Sequence, residues 1–403
     1  MVVNVVNTGN AGNTWNTGNT VNSAQAVANR HREFSRQQAR GRSAPHEELT
    51  ARISQDPEFC GLLSGSLPAG DRRQPELLLA AVRYLDGPHA ELGPRDETAY
   101  GRWREWTVRH WDEVRAVIMR RAPRTGEPAH CAALLPLLAR LPQPLALLEI
   151  GASAGLCLYP DRYRYRYCHT GQEAGGSDSN PGSGARSGSG SGAGPDAAGP
   201  HGTAYEEVGA PDSPVTFSCR TSGVAGAASG GTVPAGALPD IVWRAGIDPN
   251  PLDPVGEPDD LRWLRALVWP QDADRMARLS AAVEAVRPAP RPRIVRGDLV
   301  GELPALAAEA PPEATLVVFH SAVLAGLPPA RREEFAQRVR SLLADRDGGG
   351  HWISQEHHSV LPWITAPEHA SLGPEDAALL TLALDERPVA LTGPQGRSLH
   401  WLR

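Results

Sequence analysis

Residues Leu145 to Gly155 read LALLEIGASAG, a six-residue apolar run that ends in a turn of small residues. The run has the length of a buried strand, and small residues at its end let the backbone turn tightly and approach a ligand closely. Further runs of the same kind occur at Asp240 to Ile247 (DIVWRAGI), Arg293 to Arg296, Thr315 to His320 (TLVVFH) and His351 to Gln355. Amphipathic stretches separate them, at Asp259 to Val268, Asp272 to Val286, Glu302 to Ala308 and Pro329 to Leu343. Strands alternating with helices of this length predict right-handed crossovers and a mostly parallel sheet, hence an α/β fold. Residues Leu379 to Leu402 (LLTLALDE, RPVALTG, RSLHWL) read as a meander broken at Asp385-Glu386 and at Pro394-Gln395-Gly396. Such a meander predicts antiparallel edge strands closing the parallel sheet.

Upstream of Leu145 the texture is helical. Apolar residues recur at three- and four-residue spacing in Glu47 to Ile53, Pro75 to Tyr84, Trp103 to Arg120 and His130 to Leu141. The chain therefore divides into an Asn/Thr/Gly tail (1–23), an all-helical N-terminal region (24–141) and a sheet domain (142–403). The tail is too polar to offset its ordering entropy, and reads as disordered or as the product of a misplaced start codon. Eleven of the residues from Gly171 to Thr203 are Gly, which predicts a disordered insertion on a surface loop at about 169–204. A second loose patch spans Thr221 to Gly236, with the strand-like Val215 to Cys219 between them.

Composition narrows the function. The 403 residues are enough for two average domains, and the net charge of −6 with 40 basic residues, all Arg, argues against a nucleic-acid binder. No stretch approaches the ~18 apolar residues of a membrane span, and no basic-then-apolar leader opens the chain. Five cysteines without a CxxC argue against a disulfide scaffold or structural zinc and for a reducing cytoplasm.

Five strand ends carry candidate chemistry. In Glu149-Ile150-Gly151-Ala152-Ser153-Ala154-Gly155 the acid at the strand end is placed to accept hydrogen bonds from a cation or hydroxyl. Gly246-Ile247-Asp248-Pro249-Asn250-Pro251 ends the next strand of the parallel set, where an acid commonly grips ribose hydroxyls. Its distance from Gly151 far exceeds the usual ~20 residues, so the intervening chain must be an excursion. The bland reading of Asp248 is a turn cap before Pro249. Arg296-Gly297-Asp298-Leu299 comes after the next strand, and His320 ends TLVVFH as a candidate general base with Glu356 in a similar place. A hydrogen-bonded structural role is the competing reading for both. His351, Glu356, His357 and His358 lack HExxH spacing, so no metal is expected. Strict alternation in Asp161-Arg-Tyr-Arg-Tyr-Arg-Tyr167 predicts an edge strand with one packed face, or a strip that stacks bases.

Together these motifs resemble a class I S-adenosylmethionine methyltransferase, with Ser153 replacing the middle glycine of the first motif. More narrowly, RYLDGPH, HCAALLP, LLEIGASAGL, DRYRYRY, VWRAGIDPNPLDP, DLRWLRALVWP and TLVVFHSAVLAGLPPA resemble the bacterial family called domain of unknown function 2332. Its TNE-type motif matches Thr125-Gly126-Glu127, which carries over Glu127 but not the amide, and Cys157 stands where the family tends to have Asn. The resemblance implies a Rossmann-like, doubly wound sheet and S-adenosyl-L-methionine as cofactor. It places Glu149, Gly151, Ser153 and Gly155 near the amino acid end, Asp248 with Asn250 at the ribose, and Asp298 with Leu299 at the adenine. His320, Glu127 or Glu356 would supply a base, and the acceptor would be a small molecule. Two alternatives stand beside this: a non-catalytic nucleotide-binding protein of the same fold, and a serine hydrolase using Ser153, Asp385 and His400.

Overall fold

The computed structural model describes residues 23–89, 97–124, 126–169, 205–223, 238–346, 349–373, 376 and 378–402. The tail and the Gly-rich insertion, apart from Ser23 and His169, lie outside the described residues, as does most of the second loose patch. Before the first strand the elements are helical: α1 (Ala24–Phe34), α2 (Ala44–Ile53), α3 (Pro57–Ser66), α4 (Pro75–Tyr84), α5 (Glu97–Arg109), α6 (Trp111–Arg120) and α7 (Cys131–Leu138). Local chemistry starts several of them. Ser43 accepts from His46 N with Pro45 behind it, and Asp56 accepts from Phe59 N at 2.8 Å with Pro57 at the first helical position. A side-chain oxygen satisfies an orphan donor while proline supplies a helical φ. The stretch of helical spacing from Trp103 to Arg120 breaks at His110, whose ring stacks on Trp106 and donates from Nδ1 to the Trp106 carbonyl at 2.9 Å.

Eleven strands form one sheet: β1 (Leu145–Ile150), β2 (Arg164–His169), β3 (Tyr205–Gly209), β4 (Thr216–Ser222), β5 (Ile241–Asp248), β6 (Arg293–Arg296), β7 (Thr315–Ser321), β8 (Gly350–Glu356), β9 (Leu380–Leu384), β10 (Arg387–Thr392) and β11 (Ser398–Trp401). Their order is β3-β2-β4-β11-β10-β9-β8-β7-β1-β5-β6. The neighbours from β8 through β7, β1 and β5 to β6 are all parallel. Helices α8 (Pro258–Leu267), α9 (Ala273–Val286), α10 (Leu303–Ala307) and α11 (Pro329–Ala344) connect this half. The fold is thus α/β with a large, mostly parallel sheet.

The C-terminal meander is not an edge. The strands β9, β10 and β11 pair antiparallel in the middle of the sheet, and β11 then pairs parallel with β4. The chain between Gly151 and Asp240 leaves the parallel half and returns as β2, β3 and β4 on the far side of the meander. Alternation in DRYRYRY comes out as a one-sided strand, second from the edge because β3 covers it. Tyr163, Tyr165 and Tyr167 are buried with their hydroxyls on backbone carbonyls. Arg166 meets Glu207 of β3 at 2.7 Å.

Both faces of the parallel half are covered. Leu145 and Leu147 of β1 share one buried cluster with residues of α1 to α9. Ala146, Leu148 and Ile150 share another with Leu303, Leu306, Phe335 and Val339 of α10 and α11. The first cluster runs without a break from the N-terminal helices into the sheet. Trp263 of α8 is fully buried there, edge-on to Tyr84 of α4, and its Nε1 donates to the Ala122 carbonyl at 3.0 Å. Trp263→Ala is expected to cost about 3–5 kcal/mol, read as a lowered urea midpoint with an unchanged slope.

Candidate functional site

The turn after β1 is built on left-handed backbone. Gly151 has φ +74°, and a Cβ there would lie 2.6 Å from the Val323 methyls. Ser153 adopts φ +51°, a costly conformation for a residue with a side chain. It is held by Asp248, whose Oδ2 accepts from Ser153 N at 2.9 Å while Oδ1 accepts from Asn250 N at 2.7 Å. Leu252 N donates to Ser153 O, and Gly151 N to Ile247 O. The ends of β1 and β5 are thereby locked to one another. Asp248 caps its own turn, as the bland reading has it, and also braces its neighbour's. Both of its oxygens are engaged by backbone, so ribose hydroxyls would have to share them.

A cavity of about 270 Å³ opens beside this turn, lined among others by Gln74, Arg124, Glu127, His130, Glu149, Ser153, Asn250, Ser321 and Val323. Four buried side-chain atoms on its wall have no hydrogen-bond partner: Gln74 Oε1, His130 Nδ1, Glu149 Oε2 and Asn250 Oδ1. Buried polar atoms are normally paired, so four in one cavity mark the place where a ligand's donors belong. The Arg124 guanidinium has no carboxylate partner among the described residues. Burial, reinforced by the nearby Cys157 thiol and the Asp248 carboxylate, holds the Glu149 carboxyl well above the usual carboxylate range. Burial pushes the His130 imidazole down, with Glu127 pulling the other way.

The structure separates the expected site residues into two groups. Glu149, Gly151, Ser153, Asp248, Asn250 and Glu127 meet at the cavity, with Gly155 closing the turn. His320 and Glu356 do not line it. Side chains alternate along a strand, and Glu149 is in register with Phe319, so His320 points to the opposite face of the sheet. There it is wholly buried against Phe335 and Trp352. Trp352 Nε1 donates to His320 Nε2 at 3.1 Å, and His320 Nδ1 donates to Glu356 Oε1 at 2.8 Å. Both ring nitrogens are spent, and His320 is corrected from candidate base to packed core residue. The same Glu356 oxygen accepts from Val323 N at 2.8 Å and Leu324 N at 2.9 Å, so Glu356 shapes the cavity wall from behind. Glu127 touches the cavity, but its Oε2 is taken by Arg275 Nε at 2.8 Å in a buried ion pair, which leaves it bracing α9 and not abstracting protons. Asp298 is a half-exposed turn cap for Val300 N and Gly301 N, paired with Arg331, and Leu299 is core. Neither lines the cavity, so they do not frame a ligand in it.

The hydrolase arrangement is not assembled. Ser153 Oγ donates to the Arg124 carbonyl at 3.2 Å, Asp385 pairs with His351 at 2.7 Å, and His400 pairs with Ser222. Among the described residues no group of three or more His, Cys, Asp or Glu is arranged to hold a metal ion, and no helix is long and apolar enough to cross a membrane. Sequence reasoning passed over Gln74, Arg124 and His130. His130 stood inside the quoted HCAALLP run, and period-two alternation in FHS and QEH would have put Ser321 and Gln355, not His320 and Glu356, on the face of Glu149.

A family model described as an uncharacterized protein conserved in bacteria, domain of unknown function 2332, matches residues 28–401. The chain belongs to that family. No curated protein and no solved structure matches it. The match spans both the helices and the sheet, so the cavity built from both lies within what the family model covers.

Two measurements check this geometry. Glu356→Ala strands the His320 ring N–H and two buried backbone N–H groups, and should lower stability by about 3 kcal/mol or more in urea melts. Glu149 makes stability depend on pH. Its folded value lies above the ordinary 4.5, so the folded chain keeps a proton that the unfolded chain releases. Stability therefore falls as pH rises from about 4.5 toward the raised value. Glu149→Gln should flatten that slope above about pH 4.5, and an unchanged slope would place the titration elsewhere.

Proposed function

We propose that this protein is an S-adenosyl-L-methionine-dependent methyltransferase acting on a small-molecule acceptor. The observation that carries the reading is the buried Glu149 carboxyl at the carboxyl end of β1, whose Oε2 has no hydrogen-bond partner. It sits where the chain winds outward to β5 and β6 on one side and to β7 and β8 on the other. Ligands of doubly wound sheets bind at such a reversal of strand order. In this reading the parallel half is a Rossmann-like, doubly wound unit, and the helices before β1 are a layer that covers the site. A cytoplasmic setting accords with five free cysteines.

The donor set suits the amino acid end of that cofactor. Glu149, Gln74 and Asn250 offer open oxygens to an ammonium and to hydroxyls, and Arg124 offers a fork to a carboxylate. A bound ammonium would supply the counter-charge that the buried Glu149 lacks. The Gly151 turn lets the backbone come close, and Ser153 and Asp248 keep it in place. Asp298 and Leu299 cannot frame the adenine, which instead would lie against Pro249 and Val323 of the cavity wall. At about 270 Å³ the cavity is near the lower end of ligand sites, so Arg124 would swing outward to admit the whole molecule. S-adenosylmethionine brings its methyl already activated on a sulfonium, so the protein's task is mainly alignment.

Calorimetry of the full chain with S-adenosylmethionine tests this. Micromolar binding is expected, weakened about tenfold or more in Glu149→Ala, with circular dichroism confirming the fold of both proteins. No binding by folded wild type would overturn the reading.

A further inference from the structure

The histidine-rich stretch of β8 and the loop after it separates in the fold. His351 pairs with Asp385, and Glu356 turns inward to His320. His357 and His358 instead join His369, from the 3₁₀ turn Pro367–Ser371, in a row of imidazoles. The ring centroids of His357 and His358 lie 4.0 Å apart, and those of His358 and His369 5.5 Å. Two of the rings close the backbone around them. Ser359 N donates to His357 Nδ1 at 3.2 Å, and Ala366 N donates to His369 Nδ1 at 3.2 Å. A ring nitrogen that accepts a backbone N–H carries no proton, so both rings are neutral with their hydrogen on Nε2. His369 Nε2 donates that hydrogen to Thr381 Oγ1 of β9 at 2.9 Å. Between the two closures Val360, Leu361 and Ile364 are buried in one cluster with Leu148 of β1 and Phe335 of α11. Arg332 of α11 donates to Val360 O at 3.4 Å, and Trp363 Nε1 donates to Glu386 at 2.7 Å.

We propose that His357, His358 and His369 form an acid-sensitive clasp, which on gaining protons releases the segment from His357 to His369 from the sheet while the sheet stays folded. Protonation turns each Nδ1 from an acceptor into a donor that faces the backbone N–H it had held. Each closure is then lost and a donor is stranded. Three cations in a row at these separations also repel one another. Both penalties vanish once the segment lifts into water. The charged groups around the rings do not cancel them. The carboxylates of Glu356, at the end of β8, and of Glu368, in the turn, favour the charged rings. The Arg332 guanidinium on Val360 O opposes them, and Glu356 Oε1 is already engaged by three donors. Burial first, and then the neighbouring rings, push the His357 imidazole down to about 4, and burial lowers His358 and His369 as well. A released histidine titrates near its ordinary 6.5. The closed form therefore binds fewer protons than the open one, and its advantage is lost as pH falls from about 6.5 through about 4. Opening at that point is a local event, since the strands beneath are held by their own ladders.

Two measurements on the full chain decide it. Long-range ¹H–¹⁵N correlation of the histidine rings should show His357 and His369 as neutral Nε2–H tautomers at about pH 7.5. An Nδ1–H tautomer or an imidazolium in either ring overturns the clasp. Amide hydrogen exchange, corrected for its intrinsic pH dependence, then follows Ser359 and Ala366 on acidification. Their protection should fall at least about tenfold between about pH 6.5 and pH 4, while Leu147 of β1 and Val317 of β7 stay protected. The double variant His357→Asn/His369→Asn places a side-chain oxygen, which does not titrate, where each Nδ1 accepts, in the manner of an Asx turn. It should keep both amides protected down to about pH 4. Three outcomes overturn the proposal: protection kept in wild type with the rings protonated, loss of the β1 and β7 amides together with the segment, or a folded double variant that opens at the wild-type pH. If circular dichroism shows the double variant unfolded, the wild-type tautomers and exchange decide alone.

Discussion

One buried carboxylate organises the middle of this molecule. Asp248 accepts one backbone N–H from the turn after β1 and another from the turn after its own strand. A charge-assisted bond of this kind is stronger than a neutral one, and in a dry setting its loss strands a donor. The left-handed conformation of Ser153 is sustained by it, and so is the gap through which Gly151 meets Val323. Behind Val323 stands Glu356, holding the loop after β7 with a single oxygen. Two carboxylates therefore fix the two loops between which the cavity opens, and neither has to touch a ligand to matter for it.

Beyond the turn after β1, the chain departs from the direct strand-to-helix step common in parallel sheets. A helix N-terminus there would offer free N–H groups and a positive dipole end to an anion. Here the chain passes through the short 3₁₀ turns Leu156–Leu158 and Pro160–Arg162 and leaves as β2. The tyrosines at the start of that strand anchor the turns by their hydroxyls, Tyr163 on Leu156 O and Tyr165 on Pro160 O. Any complement to a ligand's negative charge must then come from a side chain. Arg124 stands at the cavity for that purpose, and its backbone carbonyl is tied to Ser153 Oγ. Arg72, also on the wall, is spent on the carbonyls of Ile118 and Arg121 and serves to seat that segment.

Much of the fold was legible because its signals were local. Apolar runs and amphipathic stretches place the parallel half and its helices, with α4 beginning and ending where Pro75 and Tyr84 suggest. The order of strands was not legible beyond that half. Nothing in RPVALTG or RSLHWL says that those strands will sit inside a sheet, since pairing between β11 and β4 is a contact across about 180 residues of chain. The site was half legible. Glu149, Asp248 and the small-residue turn lie at strand ends where backbone geometry alone brings them together. His320 and Glu356 misled because a strand-end position was read without its face. Gln74, Arg124 and His130 come from the helical region, and no spacing in sequence relates them to β1.

That origin bears on how the two regions should be understood. A cover that merely sheltered a finished site would contribute apolar surface and few polar groups. The segment from Ala122 to His130 instead supplies a guanidinium, an ion-paired carboxylate and an imidazole to the wall, and Gln74 adds an amide. The segment is secured by the sheet side: Glu127 by Arg275 of α9 and by Cys157, which donates to Glu127 O at 3.2 Å. The hydrophobic cluster they rest on includes Ala132 and Leu134 of α7 together with Leu145 and Leu147 of β1. Removing the helices would uncover that surface and leave Glu149 in water, where its carboxyl would ionise freely and the cavity's electrostatic character would vanish. The chemistry of the site thus belongs to the junction of the two regions, with the sheet supplying the turn and the acids and the helical region supplying the groups that face them.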